Sequence, residues 1–374
     1  MENSMGKYSF VDYSNCLVNL ASSIMDFSGI ETFHPSLSVV DNYLRSGKYN
    51  SVALLLYDGM GYDLLCRYLP EDSFLRRHVI TVIDSVFPPT TTAATTSVQT
   101  GLFPSEHKWL GWNEYFEEID KTVTIFLNRV KDTDQPAADY HVAHRYNPIR
   151  CYPDICPEGV TGVTISPFTD NGVTYPEYDV DAYFSAVRNV LAREGKKAVY
   201  AYFSDPDAIG HETGTDSEET KAILRRLNDE SEKLCRDIPD DTLVIITADH
   251  GHKNTHYVII ERDIPELKEL LLRDISIEGR ACSFWIKEGC EEKFDSIFRE
   301  KLGNDFLLLT HEEVMESQIF GPCDNDEYGK YIGDRLAVAT SDKCIALRIG
   351  TTELVSQHAG TFPEEIKVPV IILD

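Results

Sequence analysis

The chain has 374 residues, 42% hydrophobic and 26% charged, with 35 Lys and Arg against 62 Asp and Glu. That apolar share can fill one large α/β core with an inserted subdomain, and an aromatic content of 10% argues against disorder. A net charge of −27 argues against a nucleic-acid scaffold or a binder of anionic membranes, since both need basic patches.

The first fifteen residues are polar and lack the basic segment and apolar run of a leader, and no run of 18 apolar residues suggests a membrane span. The first apolar run, Ser51–Tyr57, is followed by Asp58-Gly-Met-Gly61. A threonine-rich stretch after Pro88-Pro89 comes next, then an irregular, Pro-rich segment, 147–178, expected to pack as loops. Helical spacing marks 178–194 through Val180, Tyr183, Val187, Val190 and Leu191. A second run, 198–203, ends in Ser204-Asp-Pro-Asp207. A second helix is expected over 217–237, with Asp216 in the capping position of a capping box. The third run, Thr242–Thr247, ends in Ala248-Asp-His-Gly251, and a fourth, 368–373, closes the chain.

Continuous apolar runs of this length suit strands buried on both faces, hence α/β architecture with a mostly parallel central sheet flanked by helices. Residues 262–343 read differently: short helices (265–272, 292–302, 311–317), isolated strands and an acidic stretch, 321–329. We assign 262–343 as an inserted α+β subdomain, with 1–261 and 344–374 as the core. Nine scattered cysteines, odd in number and without a Cys-x-x-Cys pair, point to a reducing cytoplasm, and the spacing of a thiolate zinc site is missing.

In open α/β sheets ligands gather beyond the carboxyl ends of the strands. Three runs end there in Asp58, in Asp207 with His211, and in Asp249-His250. A lone Asp after a strand ordinarily caps a helix or forms a turn. Several such ends, two of them with histidine, instead match the ligand types that zinc and similar ions accept. Asp207 and His211 lie four apart, so one turn can aim both at one ion, with Gly210 permitting an irregular backbone. Asp249 and His250 would point to opposite faces of a strand, and a turn at Gly251 could bring both to one metal. His358, before the last run, supplies a further ligand; alone it would read as a surface loop residue. The threonine run reads either as a capped helix start or as the source of a hydroxyl nucleophile beside a cation, with free backbone N–H groups to receive a phosphate.

Together these residues resemble the alkaline phosphatase superfamily, in its nucleotide pyrophosphatase/phosphodiesterase branch. The resemblance runs from Leu54-Leu-Leu-Tyr-Asp-Gly-Met-Gly61 to Val355-Ser-Gln-His-Ala-Gly360. Its most specific pieces are Pro88-Pro-Thr-Thr-Thr-Ala93 with Thr100-Gly-Leu-Phe-Pro-Ser-Glu-His107, then Asp207 to His211, then Thr247-Ala-Asp-His-Gly251. It implies two divalent metal ions, zinc with manganese as the other option. One would sit on Asp207, His211 and His358, the other on Asp58, Asp249 and His250. It implies Thr91 as nucleophile, nine residues before Thr100-Gly101, with Thr90 and Thr92 as fallbacks. Asn113 is the candidate phosphate-binding asparagine, one residue beyond the aligned position at Trp112. His107 falls where the family carries a structural histidine; His252 and His256 read as partners of the ligands or as surface residues. Trp109, Trp112, Tyr115 and Phe116 read mainly as packing, with base stacking as the alternative.

The implied activity is hydrolysis of a small-molecule phosphodiester, pyrophosphate or nucleotide through a covalent phosphothreonine. Alternatives on the same site are a phosphomonoesterase, a phosphonate hydrolase, or a catalytically silent metal-binding protein. The absence of a Cys-x-Pro-x-Arg motif sets aside the usual sulfatase. A cofactor-independent phosphoglycerate mutase would use serine and a separate basic domain, and neither is evident. The oligomeric state is left open.

Overall fold

All seven residues of Ser51–Tyr57 are buried, as a strand in the middle of a covered sheet requires. The computed structural model, which describes residues 10–373, pairs this strand in parallel with Lys196–Phe203 on one side and Thr242–Thr247 on the other. The six-stranded sheet runs in the order Val79–Asp84, Lys367–Leu373, Thr242–Thr247, Ser51–Tyr57, Lys196–Phe203, Val160–Ile165. Leu54, Leu55 and Leu56 are fully buried, each contributing about 1.5–3 kcal/mol through transfer from water.

Three sheet members differ from expectation, the first being Val79–Asp84, an edge strand beside Lys367–Leu373 that no apolar run marked. Val160–Ile165, inside the segment read as loops, is a parallel edge strand beside Lys196–Phe203. Its burial is only partial, so it lacks the apolar run that marks the central strands. The closing strand Lys367–Leu373 runs antiparallel to both of its neighbours. This reversal has a consequence for the site: the strand begins at the rim where its neighbours end, so the loop carrying His358 arrives among the carboxyl ends.

The expected helices form as Val180–Leu191, capped by Asp179, and Glu218–Cys235. The cap of the second is Ser217, whose hydroxyl accepts the Thr220 N–H. Asp216, expected in that role, instead accepts from the Tyr68 hydroxyl.

A second, antiparallel sheet runs Phe306–Thr310, Arg335–Ala339, Ala281–Phe284, Ser276–Ile277, Asn113–Phe116, Lys121–Thr124, Arg129–Val130. A separate apolar cluster including Phe284, Phe294, Phe298 and Phe306 lies with it. Four of its strands come from 262–343, and the three at 113–130 lie outside that span. The join is Ile277 opposite Asn113. Among the described residues, no helix is long and apolar enough to cross a membrane. All nine cysteines are unpaired. Residues 1–9, within the stretch read for a leader, lie outside the described residues.

Candidate active site

The rim of the central sheet brings the sequence-predicted ligands together. Asp58 follows Ser51–Tyr57, Asp249 and His250 follow Thr242–Thr247, and Asp207 opens the helix Asp207–Thr213 after Lys196–Phe203. Close approach is what glycine permits here. Gly59 has φ +71°, and a Cβ on it would lie 2.9 Å from the Asp207 Cα and the His252 Cδ2. Gly210 lies inside the helix and not in an irregular segment, and a Cβ on it would meet the Ser356 Oγ at 3.4 Å, an ordinary contact.

Three groups of side chains have candidate ligand atoms within 4.8 Å of one another: Asp207 with His211 and His358, Asp58 with Asp249 and His250, and Asp207 with His250 and His252. The His250 Nε2 lies 3.3 Å from the Asp58 Oδ1 and 3.6 Å from the Asp249 Oδ2. The His211 Nε2 is 3.4 Å from the Asp207 Oδ2, and the His358 Nε2 is 3.8 Å from the Asp207 Oδ1. Backbone carbonyls settle two tautomers. The His211 Nδ1–H donates to the Ser356 carbonyl at 2.8 Å and the His250 Nδ1–H to the Gly251 carbonyl at 3.1 Å. Each leaves an Nε2 lone pair facing the carboxylates, the form in which imidazole binds a metal.

The residues fit a cation on a further ground. The Asp58 Oδ1, the Asp249 Oδ2 and the His358 Nδ1 are buried without a hydrogen-bond partner, a costly state for polar groups and most of all for carboxylates. Burial raises the Asp58 carboxyl well above its ordinary range, and the nearby Asp249 and Asp207 charges add to this. Burial likewise raises Asp249. A dication among these carboxylates would offset both effects.

Thr91 is the first residue of the helix Thr91–Thr100, and its hydroxyl lies 3.2 Å from the His250 Nε2. The two fallback threonines are placed differently. The Thr90 hydroxyl donates to the Glu278 Oε1 at 2.6 Å, and the Thr92 hydroxyl is buried without a partner. Asn113 begins a strand of the second sheet; its Oδ1 accepts from the Thr124 hydroxyl at 2.7 Å. It lines a cleft of roughly 570 Å³ with Trp112, Glu278, Tyr257 and Gln357. Trp109, Tyr115 and Phe116 are buried, whereas Trp112 is 37% exposed in that cleft.

His252 joins the cluster: it is buried, contacts the Asp207 Oδ1 through Nε2, and bonds the Ser356 Oγ through Nδ1. His107 is buried away from it. Its Nε2 meets the Ser97 hydroxyl at 3.0 Å, its Nδ1 accepts the Trp109 N–H, and burial depresses it to about 3, so it is neutral. The His256 side chain is exposed, near Asp342.

Sequence reasoning missed Tyr202 and Glu278. The Tyr202 hydroxyl donates to the Asp58 Oδ2; the available signal was its place near the strand's carboxyl end, one residue before Phe203. Glu278 accepts from Thr90 and, at 2.9 Å, from the Trp112 N–H. Nothing local marks it, because its placement depends on the long-range pairing of Ile277 with Asn113.

An α/β sheet whose rim collects carboxylates and imidazoles beside a helix-opening threonine has the build of an alkaline phosphatase-like phosphoester hydrolase. The model of the type I phosphodiesterase / nucleotide pyrophosphatase family matches residues 52–293, and the chain belongs to that family. No curated protein sequence matches it. Among solved structures, murine ectonucleotide pyrophosphatase / phosphodiesterase 5 superposes with a TM-score of 0.63 at 14% identity, covering 86% of this chain and 87% of that one. An inactive variant of the murine protein, with threonine replaced by alanine and AMP bound, matches equally well. Phosphonoacetate hydrolase from Sinorhizobium meliloti, in complex with phosphonoformate, gives a TM-score of 0.64 at 14% identity, covering 87% and 90%. These likenesses are of fold.

Proposed function

We propose that the protein is a metal-dependent phosphodiesterase or nucleotide pyrophosphatase that works through a covalent phosphothreonine at Thr91. The observation that carries this reading is the pair of unpartnered buried carboxylate oxygens, Asp58 Oδ1 and Asp249 Oδ2, on the acids that flank His250, with the Thr91 hydroxyl on the same imidazole. Family membership supports it, as does the inactive, AMP-bound threonine-to-alanine variant of the murine relative.

In this reading Asp207, His211 and His358 hold one divalent cation and Asp58, Asp249 and His250 a second, zinc or manganese. Bound there, the ions supply Lewis acidity that favours the alkoxide form of the threonine and offsets charge on the leaving oxygen. The Thr91 Oγ attacks phosphorus, the ester bond to the leaving group breaks, and the released oxygen takes a proton. Water then hydrolyses the phosphothreonine and restores the hydroxyl. The N-terminal N–H groups of the helix Thr91–Thr100 are free to receive phosphoryl oxygens. Asn113, with its Oδ1 held by Thr124, offers its amide N–H to the phosphoryl group from the cleft wall. His252, packed on Asp207 and Ser356, orients that carboxylate. The unpaired cysteines support a reducing, cytoplasmic setting.

The test compares turnover of p-nitrophenyl-thymidine phosphate and p-nitrophenyl phosphate by metal-loaded protein. Faster diester turnover is expected. Faster monoester turnover selects a phosphomonoesterase instead, and tight zinc binding without turnover selects a silent metal-binding protein.

A further inference from the structure

We propose that Glu278 makes this site selective for singly charged diesters over doubly charged monoesters, an inference that rests on the hydrolase reading above. Three observations converge on it.

Glu278 is anchored beside the nucleophile. One carboxylate oxygen takes both the Thr90 hydroxyl and the Trp112 N–H, at 2.6 and 2.9 Å. Thr90 is the residue before the proposed nucleophile, so the carboxylate is held against the start of the helix that presents Thr91. Among the described residues, no hydrogen bond engages its Oε2. Burial raises its carboxyl above the ordinary range, and the hydrogen bonds from Thr90 and Trp112 work against that rise.

The side chain also lines a cleft that borders the site through the residues next to Thr91's neighbours and to His358. That cleft reaches Gln357, the neighbour of His358, at one wall and Trp112 and Asn113 at another. In this proposal the second substituent of the phosphorus extends along that wall, past Glu278.

The cations of the cleft are already engaged. The Lys131 Nζ bonds the Asp274 Oδ1 at 3.1 Å and the Ile275 carbonyl at 3.0 Å, and Arg348 bonds the Asp274 Oδ2 at 3.1 Å. One carboxylate thus serves both basic side chains, while Glu278 and Asp132 add negative charge to the lining. Ile275, Ile277, Leu347 and Ile349 provide apolar wall.

A phosphomonoester carries close to two negative charges above neutral pH, its second ionisation lying near pH 6. A diester carries one, and replaces a charged oxygen by an organic group. A fixed carboxylate beside the phosphoryl position therefore penalises the monoester more, whereas an apolar wall without a free cation suits the second organic group of the diester. This is discrimination by repulsion of the wrong substrate.

The experiment measures kcat/KM for p-nitrophenyl-thymidine phosphate and p-nitrophenyl phosphate with wild type and three variants, at about pH 9 so that the carboxylate is ionised. Glu278→Gln keeps an oxygen for Thr90 and Trp112 while removing the charge. It is expected to raise the monoester-to-diester ratio about tenfold. Glu278→Ala shifts the ratio in the same direction, and Glu278→Asp, which retains the charge, holds it near the wild-type value. A ratio unchanged in both neutral variants, or both rates falling together, overturns the proposal and leaves the hydrolase reading standing. A wild-type protein that turns over neither substrate removes both.

Discussion

Arg280 and Glu365 form a fully buried, two-pronged ion pair, with the Arg280 Nε and Nη2 each 2.7 Å from a Glu365 oxygen. Glu365 also accepts the Gly360 N–H, two residues beyond His358, and its carbonyl accepts the Gly251 N–H, one residue beyond His250. The remaining Arg280 nitrogen donates to the Ser341 and Lys343 carbonyls. One salt bridge therefore joins two candidate ligand loops to the neighbouring strands. Replacing one partner leaves the other charge buried and unpaired. Arg280→Met should cost about 3–5 kcal/mol in urea unfolding, and adding Glu365→Leu should recover much of that loss.

Thr91 supplies the bond-forming oxygen in the proposed reaction. Thr91→Ala should lower kcat by at least about a thousandfold while bound metal, measured by elemental analysis, stays at the wild-type level. Surviving activity would move the nucleophile elsewhere.

The carboxylates of Asp58 and Asp249 are buried with an unpartnered oxygen on each. A bound dication should therefore stabilise the fold, and chelation should lower the melting temperature as well as abolish turnover. Saturating metal at about 100 to 1,000 times its Kd corresponds to about 3–4 kcal/mol. A melting curve indifferent to chelator and to added zinc would count against both metal sites.

The Tyr202 hydroxyl donates to Asp58 and orients that carboxylate. Tyr202→Phe should weaken metal binding by about tenfold to a hundredfold, read by competition with a chromogenic chelator, without unfolding the protein.

Glu114, beside Asn113, provides a test of stability against pH. It is fully buried, one oxygen accepts the Leu110 N–H at 2.8 Å, and the other has no partner. Burial pushes its carboxyl from 4.5 up to about 8. The folded value lies above the unfolded one, so the stabilisation it contributes is complete below about pH 4.5 and is lost as pH rises through about 8. The wild type should lose melting temperature across that window, and Glu114→Gln should flatten the decline.

The amino-acid order alone determined the central strands and most of the rim. Ser51–Tyr57 and Thr242–Thr247 are buried on both faces, so their apolar runs are local and unbroken, and the acids that follow them lie within two residues of the strand ends. The four-residue step from Asp207 to His211 is one helical turn. Tertiary structure alone decided the rest. Val160–Ile165 is a partly buried edge strand without a continuous apolar signal, and the reversed direction of Lys367–Leu373, which delivers the His358 loop to the rim, leaves no mark in its own residues. Glu278 reaches Thr90 because Ile277 pairs with Asn113 across more than 160 positions. Propensity and periodicity act between near neighbours, whereas register and strand direction are chosen by packing among segments distant in sequence.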